Sequence, residues 1–170
     1  MESSYPGRIG LTQISGVTGQ VIRVLQGLNG SGMENFEHAY MDLGDGTLIE
    51  AEPGGARIRP LYEYHPDNVY WCDNIYAGMT PEQKIMAAVY ARALKGTPYS
   101  YLDYMALIAH HFGVNSQALQ DYIASSHHMI CSQLADYACQ LAGYHLFNNR
   151  WNGYVAPGDL YRLDKAMAPR

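Results

Sequence analysis

The chain has 170 residues, of which 48% are apolar and only 16% charged, and its formal net charge is −5. That length fits one domain with a sizeable core, and the composition excludes a disordered tail. The negative balance argues against nucleic acid or an anionic membrane surface as the main partner.

Residues 1–8 (MESSYPGR) lack the apolar stretch of a signal peptide, and no run approaches the length of a membrane span. The expectation is a product made in the cytoplasm, which reaches the outside only by lysis or within a larger assembly. Residues 9–15 alternate apolar and polar side chains and predict a strand. Thr18 is placed to cap a short helix with Val21, Ile22, Leu25 and Leu28 on one face, closed by NGSG at 29–32. Further strands are predicted over 36–43, 47–51, 57–61 and 69–72.

From Thr80 onward the period changes from two to about 3.6. Thr80, Pro81 and Gln83 form the start signal of a helix that runs to Lys95 and stops at Gly96. Helices are also predicted over 101–112, 116–124 and 129–142, the last with Ile130, Leu134, Ala138 and Leu141 on one face. Residues 154–163 are expected to return as a turn and a short extended piece. Strands first and helices afterwards predict a single α+β domain over 1–170.

Within this frame, Gly44-Asp45-Gly46 fits a three-residue hairpin loop with Gly46 left-handed. Tyr40 then faces Glu50 and His38 faces Glu52, so the histidine and both glutamates project from one side of the sheet. A one-residue change in the loop would send the glutamates to the other side. Geometry alone leaves Glu50 and Glu52 both open as partners of His38, and an exposed charged pair on a sheet surface is an ordinary finding.

Cys131 opens the helix predicted over 129–142, where unpaired N–H groups and the helix dipole favour a thiolate and can stabilise an adjacent oxyanion. The plain alternative is a cysteine buried as a small hydrophobe, which suits Cys72 and Cys139 better. With three cysteines and no CxxC pair, free thiols are expected. His110, His111, His127 and His128, with Cys131, make a metal site the rival for the histidines, but no complete ligand pattern is present. Fifteen tyrosines against three phenylalanines suit hydrogen-bonding aromatic surfaces around a groove, although tyrosine is also ordinary core material.

These residues resemble the circularly permuted papain-like cysteine hydrolases: permuted NlpC-type amidases and peptidases, YiiX-like proteins and lecithin-retinol-acyltransferase-like enzymes. Pro6-Gly7-Arg8-Ile9-Gly10 is similar to the family's opening "GDI" strand, with Arg8 where aspartate is usual. Glu37-His38-Ala39-Tyr40 resembles its histidine strand, and Ile49-Glu50-Ala51 its "EA" segment. Lys95-Gly96-Thr97-Pro98-Tyr99 is similar to its "GxxYD" turn, with Ser100 in place of aspartate. Ile130-Cys131-Ser132-Gln133-Leu134 resembles the "CSELV" nucleophile helix, and Pro157-Gly158-Asp159-Leu160 a closing turn. The departures at Arg8 and Ser100 leave the three catalytic matches intact and bear on which subfamily applies.

The resemblance implies an antiparallel sheet packed against helices, with the nucleophile at a helix N-terminus. It implies Cys131 as nucleophile, His38 as base and Glu50 as the group that orients the imidazole, without metal or other cofactor. Glu52 is expected to be a rim residue, because strand pairing should fray before Pro53-Gly54-Gly55. Tyr5 and Tyr99 are the candidates for a second oxyanion contact and for substrate binding. The implied substrate is a peptide or acyl compound, first an amide bond in the short peptides of bacterial cell walls, in bacteria or their viruses. The alternatives are a lipid-directed acyl hydrolase or acyltransferase, and a non-catalytic interaction module.

Overall fold

The period-two segments pair into one sheet in the computed structural model, which describes residues 4–13, 36–52, 54–98, 130–148 and 155–169. The strands are β1 (Ile9–Thr12), β2 (His38–Asp42), β3 (Thr47–Glu52), β4 (Gly55–Pro60) and β5 (Val69–Trp71). They lie in the order β4-β3-β2-β1-β5, and every pair is antiparallel. The helices among the described residues are α1 (Asp73–Gly78), α2 (Pro81–Ala93), α3 (Cys131–Leu141) and α4 (Pro157–Ala166). Two 3-10 turns, Leu61–Glu63 and Pro66–Asn68, separate β4 from β5. The α+β class read from the sequence is the class observed.

The hairpin between β2 and β3 has the expected register, with Tyr40 opposite Glu50 and Asp42 opposite Leu48. Leu43 N–H closes it on Thr47 O at 2.9 Å, and Gly46 has the expected positive φ of 82°. Gly44 shares that φ, and the Asp42 carboxylate accepts its N–H at 2.8 Å. Alternation then sorts the side chains. Ile9, Leu11, Ala39, Met41, Ile49 and Ala51 face the helices and are almost wholly buried. Helix α3 lies on β2 and β3 through Leu134, Ala135 and Ala138, and α2 meets α3 through Ala87, Ala88 and Ala91. Burying a side chain of the size of Leu134 stabilises by about 1.5–3 kcal/mol, and the alanines let the backbones approach.

The opposite face carries a smaller cluster of Tyr40, Leu48 and Leu61, with Tyr64, Val69 and Trp71 packed on it. The turn Leu61–Glu63 folds over this face: Leu61 N–H bonds Gly46 O at 2.9 Å, and Leu61 itself is buried. This second layer takes the outer side of the hairpin out of solvent.

The capping signals account for the helix starts. Thr80 and Gln83 form a reciprocal capping box at α2, and Gly96, with φ 88°, follows its end. Ile130 N–H donates to Gln133 Oε1 at 2.8 Å at the start of α3. One expectation is corrected here. Residues 157–163 are not a turn and extended piece but belong to the helix α4. Pro157 takes the first helical position, where its missing N–H costs nothing, and Ala156 N–H donates to Asp159 Oδ2 at 3.0 Å. The short helix α1 was also not expected; its first N–H groups, of Asn74 and Ile75, donate to the buried Asp164 carboxylate at 2.8 and 2.9 Å. The predicted helices over 21–28, 101–112 and 116–124 lie outside the described residues.

Candidate active site

Two segments distant in sequence meet here, the β2–β3 hairpin and the start of α3. His38 is the first residue of β2, Glu50 sits in the middle of β3, and Cys131 is the first residue of α3. His38 Nε2 lies 2.9 Å from Glu50 Oε2, with both side chains buried. The Cys131 sulfur lies near enough to the His38 ring for its charge to raise the proton affinity of the imidazole. Since Nε2 is engaged by Glu50, Nδ1 is the ring nitrogen left for the sulfur.

Burial and charge oppose each other at these groups. Burial alone would lower the pKa of His38, but the Cys131 sulfur and then Glu50 outweigh it and push it up to about 10. Burial would likewise raise Glu50, yet hydrogen bonds from His38 and Tyr64 and the nearby charges bring it down to about 2. Cys72 and Cys139 are different: burial raises both thiols, and Arg8, the cation that acts on Cys72, does not offset it. All three cysteines are free.

Glu50 is completely buried and gripped on both oxygens. The Tyr64 hydroxyl donates to Oε2 at 2.5 Å, while Arg57 Nε and Arg59 Nη1 reach Oε1 at 3.1 and 3.4 Å. Arg57 stands opposite Glu50 in the β3–β4 ladder, and it also pairs with Glu52. The expected fraying at Glu52 does not occur, since its pairing with Gly55 continues the ladder. What separates the two glutamates is their partners: Glu50 contacts the imidazole, whereas Glu52 is held by Arg57 at a partly exposed site.

Tyr5 is not at this site. Its backbone N–H donates to Asp42 Oδ2 at 2.6 Å, which places it at the far end of β2 from His38, about 13 Å along the strand. Its ring packs against Tyr76 and under the Arg8 guanidinium. The expected role as a second oxyanion contact is therefore withdrawn for Tyr5. Tyr99, together with His110, His111, His127 and His128, lies outside the described residues. Arg8 pairs with Asp73 and stacks over Trp71 at 4.4 Å.

Arg57, Arg59 and Tyr64 are the site residues that sequence reading missed. Arg57 was within reach of it: once Glu52 is set against Gly55, Glu50 falls opposite Arg57.

Ligand atoms of His38, Glu50 and Glu52 lie within 4.8 Å of one another, as a metal site would require. The residues do not fit a cation, however, because two guanidinium groups already occupy the carboxylate oxygens. A cavity of about 720 Å³ opens beside Tyr64, lined by Thr12, Phe36, Asn68 and Tyr70 among others. No helix among the described residues is long and apolar enough to cross a membrane. Comparison of the chain with protein-family models, with curated proteins and with solved structures finds no match.

Proposed function

We propose that this protein is a cysteine hydrolase of the permuted papain-like kind, which cleaves amide bonds with a Cys131-His38-Glu50 triad. The observation that carries the reading is the buried imidazole held between a sulfur at a helix start and a fully buried carboxylate. The β2–β3 hairpin and the start of α3, remote from each other in sequence, supply its three residues, and each has the chemistry its place demands.

In the reaction His38 holds the proton taken from Cys131, and the thiolate attacks the carbonyl carbon of an amide. The negative oxygen that forms is stabilised by the Cys131 backbone N–H at the start of α3. Collapse breaks the C–N bond, His38 gives its proton to the departing amine, and a thioester remains on the sulfur. Water then attacks the thioester, losing a proton to His38, and the carboxylic acid and the thiol are released. Throughout, Glu50 stays ionised and keeps the imidazole oriented, which is the role the low carboxylate pKa supports.

The short peptides of bacterial cell walls are the proposed substrates. Incubation with purified peptidoglycan should release new amino and carboxyl groups, and Cys131→Ala should abolish the release. Hydrolysis of a lipid-ester panel with no attack on peptide would move the assignment to an acyl hydrolase. Inactivity on both, with Cys131 alkylated no faster than in unfolded protein, would overturn the enzymatic reading.

A further inference from the structure

A carboxylate that only orients a histidine needs one contact to it, whereas Glu50 carries four donors. Two of them share a single oxygen: His38 Nε2 at 2.9 Å and the Tyr64 hydroxyl at 2.5 Å both meet Oε2. We propose that Tyr64 is a positioning residue that sets the basicity of His38 by competing with it for the charge on Glu50. The structural relation among the three stands on its own; its meaning for catalysis rests on the triad proposed above.

Tyr64 is fixed in place by the fold. It follows the turn Leu61–Glu63, and its N–H bonds Leu61 O at 3.2 Å. Its ring stacks on Tyr40 at 4.8 Å with an interplanar angle of 18°. It also lies nearly parallel to the His38 ring, 6.2 Å away. The stack leaves the ring little freedom, so the hydroxyl is delivered to Oε2 by packing. Burial first, and then Glu50, push the Tyr64 hydroxyl far above its ordinary pKa, so it stays protonated and donates.

Two donors on one oxygen weaken each other, because each reduces the electron density the other meets. The Tyr64 bond is strongest when His38 is neutral, since an imidazolium beside Glu50 already cancels much of its charge. Tyr64 therefore stabilises the neutral imidazole relative to the imidazolium and lowers the proton affinity of His38. Arg57 and Arg59 act in the same direction on the other oxygen. Without such competition, a buried ion pair would hold the His38 proton too tightly to hand it to a leaving amine.

The test uses the full chain carrying Cys131→Ala, so that the sulfur does not contribute to the titration. The His38 ring is followed by NMR, and its signal is assigned by its loss in His38→Gln. Tyr64→Phe keeps the ring and its stack and removes only the hydroxyl. It should raise the His38 midpoint by about half to one pH unit. In a Glu50→Gln background the same change should leave the midpoint in place, because no charge remains to be shared. Should the phenylalanine variant not fold, 3-fluorotyrosine at position 64 strengthens the donor in the native packing and should lower the midpoint. An unmoved midpoint, a shift of the opposite sign, or the same shift without Glu50 overturns the proposal. Turnover enters neither arm, so failure of the hydrolase assignment is seen separately in the peptidoglycan assay.

Discussion

His38 Nε2 meets Glu50 Oε2 at 2.9 Å across the β2–β3 hairpin, with the two side chains only 3% and 0% exposed. The contact is diagonal: Glu50 is paired with Tyr40, the next residue on the same side of β2. His38 thus leans along the sheet toward Glu50 rather than across to Glu52, and the arginine on β4 claims Glu52 instead. A surface pair of the same composition would be worth little. Buried on the face of the sheet that Tyr40 and Tyr64 cover, this one is placed to govern a proton.

Glu50→Gln should cut turnover on peptide by on the order of a hundredfold or more, through loss of the charge opposite the imidazole. Glu52→Gln should cost less than about tenfold, since its hydrogen-bonding partner is Arg57 and not His38. Steady-state kinetics of the two variants on one substrate checks the ranking. A larger loss at Glu52 would pass the role to that residue.

Cys131 should be alkylated by iodoacetamide before either other cysteine. Cys72 and Cys139 have no solvent exposure, and burial raises both thiols, whereas Cys131 is slightly exposed and adjoins His38. Thiolate is the reacting form, so a rate advantage of about tenfold or more is expected. Peptide mapping after partial reaction reads the order directly. His38→Gln should remove most of the advantage, and earlier labelling of Cys139 would exclude Cys131 as nucleophile.

The parts of the site written in local sequence were readable, and those assembled by tertiary contact were not. Gly44-Asp45-Gly46 sets the hairpin register, and with it the shared face of His38 and Glu50, because a three-residue loop admits few geometries. Gln133 marks the start of α3 because its amide answers a backbone N–H three residues back. Tyr64 gave no such signal, since it reaches Glu50 through a 3-10 turn whose path depends on Leu61 finding the outer face of the sheet. The misreading at α4 came from Pro157-Gly158, a pair that punctuates turns as readily as it opens helices. The side chain of Asp159 decides between them by capping Ala156.

The stability of the protein should be highest between about pH 4.5 and 6.5 as far as Glu50 and the His38 imidazole, raised first by Cys131 and then by Glu50, govern it, with losses on both sides. Glu50 titrates near 2 when folded against an ordinary 4.5, so its contribution is complete above 4.5 and is lost as pH falls toward 2. His38 titrates near 10 when folded against an ordinary 6.5, so its contribution is complete below 6.5 and is lost as pH rises through 10. Urea midpoints measured across this range should fall on both flanks. Glu50→Gln should make the acid flank shallower, and an unchanged acid flank would show that Glu50 is not ionised at low pH in the folded state.

Gly10 should be required beneath Tyr40, and through Tyr40 for the placement of Tyr64. The two residues are cross-strand partners in the β1–β2 ladder. A Cβ at position 10 would fall 2.4 Å from Cζ of the Tyr40 ring, and the ring has nowhere to go. Trp71 meets it edge-on at 5.6 Å, Tyr64 covers its face at 4.8 Å, and the side chain is completely buried. Gly10→Ala must therefore push the ring toward Tyr64 or spread β1 from β2. Overpacking of this kind costs about 1–3 kcal/mol, to be read from urea unfolding. In a Tyr40→Leu background the smaller side chain leaves room for the methyl group, so the same substitution should cost less than half as much. Equal costs in the two backgrounds would place the strain in the backbone of β1 and free Tyr40 from any part in holding Tyr64 over Glu50.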